Sequence, residues 1–221
     1  MAPIPKFGFS AFLKLINANP KPQKRLVRDR YRPSKGGYDY HKSLKSRVQQ
    51  VAFGELSFQQ ALDSTSQITK LSERESARRG LKRFFEWKLQ NRGTLETTES
   101  LLFPSPKRLY KVEFTPNFLL EIEGRRTAVH LWNTQHRLSG QLVRAALSTV
   151  ATRYPLENRP DDFAVLSLQD GSIYKWSEAD SELTLLGEKL LEFLDNQFEV
   201  ARNELGLPAG PEAPSPPMKP V

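Results

Sequence analysis

Apolar positions recur at steps of three and four through roughly the first ninety residues, then at steps of two from about Lys107 onward. In the first part, Phe9, Phe12, Leu13 and Ile16 predict a short amphipathic helix. Asn19-Pro20-Lys21-Pro22 ends it, because proline lacks an amide donor and turns its predecessor away from the helical region. Leu44, Val48 and Val51 predict a helix from Tyr38 or Tyr40 to about Phe53, and a shorter one runs from Phe58 to about Asp63 with Ser57 as its cap. The clearest helical pattern begins at Ser72, where Ser72 and Glu75 have capping-box spacing, and continues to about Asn91 before Gly93. Its inward stripe is Ala77, Leu81, Phe84 and Phe85, with Trp87 or the stem of Lys88.

Beyond Lys107, three short runs rich in β-branched and aromatic residues, Leu109 to Phe114, Phe118 to Glu123 and Arg126 to Trp132, predict an antiparallel three-stranded meander. Leu138, Leu142, Ala145, Ala146 and Thr149 share a helical face ending near Arg153. Phe163 to Leu168 and Ser172 to Trp176 flank Gln169-Asp170-Gly171, a hairpin signal in which both central positions tolerate positive φ. A last helix spans Ser177 to about Leu205 on Leu183, Leu186, Leu190, Leu194, Phe198, Ala201 and Leu205. The fold class is therefore α+β: a basic helical N-terminal region over residues 1–92, a connector over 93–106, and a sheet-and-helix domain over 107–205. That domain should contain a small, mostly antiparallel mixed sheet flanked by helices. A Pro-rich tail over 206–221, with six prolines in its last fifteen residues, is expected to be disordered.

Composition alters this picture in two ways. With no cysteine, disulfide frameworks and thiol chemistry are excluded; no run reaches the length of a membrane span and no leader is evident, so a cytoplasmic address with no membrane partner is expected. Charge is distributed unevenly: residues 1–92 carry 20 Lys and Arg against 7 Asp and Glu, whereas the remainder carries 13 against 18. The basic segment holds Lys21, Lys24, Arg25, Arg28, Arg30, Arg32 and Lys35, followed by Lys42 and Lys45, with Tyr31, Tyr38 and Tyr40 interleaved. On the helix from Ser72, Arg74, Arg78 and Lys82 form a ridge at four-residue steps, and Arg79 and Arg83 extend the basic surface. Such density suits phosphate backbones, with tyrosines available to stack on unpaired bases; a solvated surface, or pairing with the acidic half, is the alternative.

The order helix, three strands, helix, strand from Ser72 to Trp176 resembles the PD-(D/E)XK nuclease superfamily. The resemblance implies an Asp opening the second strand and an acidic-x-Lys tripeptide on the third, which together hold Mg²⁺ and activate water. Those positions carry Asn117 behind Pro116, and His130-Leu131-Trp132, so the resemblance implies a catalytically degenerate member.

Other candidate chemistry is sparse. Glu121 and Glu123 share a side of the second predicted strand with Leu119 and suit a divalent cation, although the same alternation describes a half-buried strand's outer face. His130 and His136 lack a third ligand at metal spacing, and Tyr38 and Tyr40 lack the neighbours of a nucleophilic tyrosine. No Ser elbow, phosphate loop or dinucleotide fingerprint is present. The leading expectation is a non-enzymatic nucleic-acid-associated protein, contacting DNA or RNA without a cofactor. The alternatives are a divergent Mg²⁺-dependent nuclease using Asn117, Glu121 and His130, and an interaction module for an acidic protein partner.

Overall fold

The computed structural model describes residues 4–32 and 40–208. It begins with β1 (Lys6–Gly8), α1 (Phe9–Ile16), α2 (Pro20–Asp29), α3 (Lys42–Ala52), α4 (Phe58–Ser64) and α5 (Leu71–Gln90). There follow β2 (Leu101–Pro104), β3 (Lys111–Phe114), β4 (Phe118–Ile122), β5 (Arg125–Trp132), α6 (Gly140–Arg153), β6 (Asp162–Ser167), β7 (Ile173–Lys175) and α7 (Ser181–Glu204). The class is α+β, with two small mixed sheets flanked by helices.

The larger sheet has the order β4-β5-β6-β7. β4 and β5 form an antiparallel hairpin, β5 and β6 run parallel with His130 opposite Val165, and β7 returns antiparallel to β6. The parallel pair needs a crossover, which α6 supplies. Helices cover both faces, so the central strands read as nearly continuous apolar runs instead of alternating ones. Leu119, Ala128, Trp132, Phe163 and Val165 face a core built with α1, α6 and α7. Phe118, Leu120, Val129, Leu131, Ala164 and Leu166 face a second core made with α3, α4 and α5.

The predicted meander does not form. β3 leaves the main sheet and sits between β1 and β2 in a separate sheet, parallel to β1 and antiparallel to β2. Two segments claim it, one distant and one nearby in the chain: Phe7 pairs opposite Val112, and Phe103 of the preceding strand lies opposite the same residue. The expected connector thus contains a strand, and its Glu96 makes a further bridge to Leu119. The N-terminal region is likewise not all helical, because β1 precedes α1.

Several boundaries shift for local reasons. α5 begins one residue earlier than expected, so Ser72 falls inside the first turn and no side-chain cap forms. The reciprocal capping box occurs instead at Ser57 and Gln60 of α4, where each side chain meets the other's backbone amide. The proline pair that ends α1 also opens α2, since proline at the first helical positions forfeits an amide with no partner there. α7 starts at Ser181, after a turn at Trp176–Glu178, because Asp180 accepts the Leu183 amide at 2.8 Å and sets the helix origin. In the β6–β7 loop only Gly171 takes positive φ, 78°, while the Asp170 side chain accepts the Ser172 amide. Tyr38, Gly36-Gly37 and the tail beyond residue 208 lie outside the described residues, and among the described ones no helix is long and apolar enough to cross a membrane.

Candidate nucleic-acid interface

Asn117, His130 and Trp132 are engaged in structural contacts. Asn117 is buried, its amide donates to the Val129 carbonyl at 2.8 Å, and its Oδ1 accepts the Leu131 amide at 2.8 Å. The side chain therefore extends the β4–β5 ladder by one rung past the last backbone pair. Asn117→Ala would leave the Leu131 amide buried and unpaired, an expected loss of about 1–3 kcal/mol in urea denaturation. An unchanged midpoint would show that water satisfies that amide instead.

His130 is also buried. Its Nδ1 lies 3.0 Å from the Thr115 carbonyl, which can only accept, so Nδ1 carries the proton and Nε2 accepts from the Ser10 hydroxyl at 2.8 Å. Phe9 and Phe114 flank the ring. Burial, with a smaller contribution from the Lys45 charge, lowers its pKa to about 4, which keeps the ring neutral. Trp132, two positions on, is almost fully buried and donates its indole N–H to the His136 carbonyl. His136 itself is exposed in the loop after β5. His41 packs edge-on against Tyr40, far from this strand in sequence.

Glu121 and Glu123 do not form the expected pair on one strand face. The hairpin turn is Glu123-Gly124, both with positive φ of 51° and 74°, because Ile122 already pairs with Arg125. Glu123 turns away to Lys175, 2.7 Å distant, and this ion pair lowers the carboxyl's pKa. Glu121 stays exposed on β4. No cluster of three or more metal-binding side chains occurs among the described residues.

The predicted cations divide into separate surfaces. On α2, Lys24 and Arg28 reach Glu204 of α7, while Arg25 and Arg32 flank Asp29 at 3.8 and 3.1 Å. Arg30 stacks over the Phe7 ring, 5.1 Å from its centroid, and partial burial lowers its pKa. Lys21 remains exposed, and Lys35 lies outside the described residues. Two of these cations, Lys24 and Arg28, thus tie α2 to Glu204 of α7, while Lys21, Arg25 and Arg32 stay largely exposed. Lys42 is exposed on α3, and Lys45 is half-buried there.

The α5 ridge is different. The helix buries Ala77, Gly80, Leu81, Phe84 and Trp87 against the second core, which turns Arg78, Arg79, Lys82 and Arg83 to solvent. Arg83 pairs with Glu86 at 3.5 Å with both groups more than half exposed, and Arg78 reaches Thr65 at 3.4 Å. Arg79 and Lys82 make no ion pair among the described residues. Together with Leu168 and Gln169 of the β6–β7 loop, Arg79, Lys82, Arg83 and Glu86 line a groove of about 290 Å³. Because α2 packs into the first core and α5 into the second, the two basic surfaces lie on opposite faces of the main sheet.

Beside the α5 groove, a cavity of about 490 Å³ opens past the carboxyl ends of the parallel strands β5 and β6. Such ends are where ligands enter open α/β sheets. One lip is the loop leading to α6, with Gln135, His136, Arg137 and Leu138; the other carries Gln169, Asp170 and Tyr174. Hydrogen bonds fix the two lips together: Gln169 Nε2 donates to the Asn133 carbonyl at 2.9 Å, and the Leu168 amide to the Trp132 carbonyl at 2.8 Å. The loop to α6 is also held from α1, where Asn17 Oδ1 accepts the Ser139 amide. Nothing in the sequence singles out Gln135, Arg137, Gln169 and Tyr174, since a polar loop acquires meaning only once β5 and β6 are known to be parallel.

Chemically the arrangement offers fixed positive charge along α5 and a mixed set of donors and acceptors in the adjoining cavity. The chain matches no protein-family model, and no curated protein matches it at a significant level.

Proposed function

We propose that this protein is a non-enzymatic nucleic-acid-binding protein, built on a nuclease-like core whose metal-binding positions have been taken over by structural residues. The observation that carries the reading is the α5 ridge: Arg78, Arg79, Lys82 and Arg83 occupy one exposed face, and Arg79 and Lys82 are not consumed by ion pairs among the described residues. Residues four apart on a helix rise about 6 Å, so the ridge presents cations along a line. Cations arranged this way bind phosphates by releasing condensed counterions. The reading is further supported at Asn117 and His130, whose polar atoms are committed to the Leu131 amide, the Thr115 carbonyl and the Ser10 hydroxyl.

The test is a fluorescence-anisotropy titration of DNA and RNA oligonucleotides over a range of salt concentrations. Binding should weaken linearly in log–log form, and Arg79→Ala/Lys82→Ala/Arg83→Ala should reduce the duplex DNA slope by about 0.9 for each phosphate no longer neutralised. Substituting Arg25 and Arg32 on α2 should change it less. No binding at low salt, or a triple variant that binds like the parent, would overturn the proposal. The same samples with Mg²⁺ or Mn²⁺ address the chemistry: metal-dependent cleavage abolished by Glu121→Ala would refute the non-enzymatic part.

A further inference from the structure

We infer that the cavity at the carboxyl ends of β5 and β6 receives one unpaired nucleotide of a strand whose neighbouring phosphates lie along α5. The inference rests on the proposed nucleic-acid binding and specifies which form of nucleic acid the site selects. Gln169 lines both the cavity and the α5 groove, so a polyanion held by Arg79, Lys82 and Arg83 runs directly to the cavity mouth.

The lining suits a nucleotide in three respects. Arg137 and His136 supply donors for a phosphate. Gln135, Gln169, Ser167 and Asp170 offer the mixture of donors and acceptors that a base edge requires, and Tyr174 and Leu138 provide apolar surface for its ring. The Tyr174 ring is steadied by the Arg144 guanidinium, 5.9 Å from its centroid, which is itself held by Glu178. A volume of about 490 Å³ falls in the range of small-ligand pockets.

The division of labour within the lips points the same way. Their backbone is fixed by the Gln169–Asn133, Leu168–Trp132, Trp132–His136 and Ser139–Asn17 hydrogen bonds. The side chains of Gln135, His136 and Arg137, by contrast, make no hydrogen bond or ion pair among the described residues. These exposed side chains are therefore available to a ligand on a hydrogen-bonded frame. A base paired within a duplex cannot enter it without first leaving the stack.

The decisive comparison is among a single-stranded oligonucleotide, the blunt duplex of the same sequence, and that duplex with a single-stranded overhang, all at one salt concentration. The single-stranded and overhang forms should bind about tenfold more tightly than the blunt duplex, the scale of one stacked or charge-assisted contact. His136→Ala/Arg137→Ala, two exposed positions, should bring that ratio to about one, and Tyr174→Ala should lower it independently. A parental ratio near one, or a ratio unmoved by both variants, would overturn the cavity's role while leaving the α5 interface standing. Failure of every nucleic acid to bind would overturn both.

Discussion

Gly187→Val is expected to lower stability by about 3 kcal/mol or more, and Gly187→Ala by about 1–3 kcal/mol, measured as shifts of the urea midpoint. The sign is opposite to the usual one. Glycine inside a helix ordinarily costs roughly 1 kcal/mol relative to alanine, so on conformational grounds alanine should help α7. At Gly187, however, an added Cβ would sit 2.4 Å from the Ala145 carbonyl oxygen and 2.9 Å from the Thr149 methyl, both on α6. A backbone carbonyl cannot swing aside as a side-chain end can. The two helices would have to separate, loosening Leu191 and Leu194 of α7 from Val143, Leu147 and Val150 of α6 in the first core. A Gly187→Ala protein more stable than the parent would mean that α6 and α7 do not cross this closely.

The second large effect concerns acid. A His130 pKa of about 4, against 6.5 for the free side chain, means that the unfolded chain binds more protons between these values. Stability is therefore fully retained above pH 6.5 and falls as pH drops toward 4, by about 3 kcal/mol in all for this one group. Asp195 acts in the opposite sense: burial raises its pKa, so its own contribution grows as pH falls. The wild type should consequently be compared with His130→Gln over pH 4–7, where the difference between the curves isolates the imidazole. Curves that stay parallel would show that His130 titrates normally in the folded protein.

Legibility in the sequence follows the range of the interactions involved. α5, α6 and α7 are readable because a helix satisfies its backbone locally and displays its buried face every three or four residues. The hairpin at Gly171 is readable for the same reason, being decided within a handful of residues. β3 is not: it looks like the first strand of a meander, whereas pairing with the distant Phe7 on one side and with Phe103, from a segment that reads as connector, on the other draws it into another sheet. Glu123 reads as a strand residue because its alternation with Glu121 is real in the sequence, while the turn beginning one residue early is fixed by the pairing of Ile122 with Arg125. Among candidate site residues, helical spacing is enough to find the α5 cations. The cavity beside them stays hidden, because its position follows from parallel pairing across a crossover.

The placement of β1 bears on the order in which the chain can fold during synthesis. Phe7 stacks on Tyr110 and on Phe198, with ring centroids 5.4 and 6.0 Å apart, and Lys24 and Arg28 end against Glu204. Phe7, Lys24 and Arg28 thus leave the ribosome well before the α7 residues that they meet. The side of Phe7 that meets Phe198 stays uncovered until α7 emerges, which leaves β1 open to early aggregation unless something shields it.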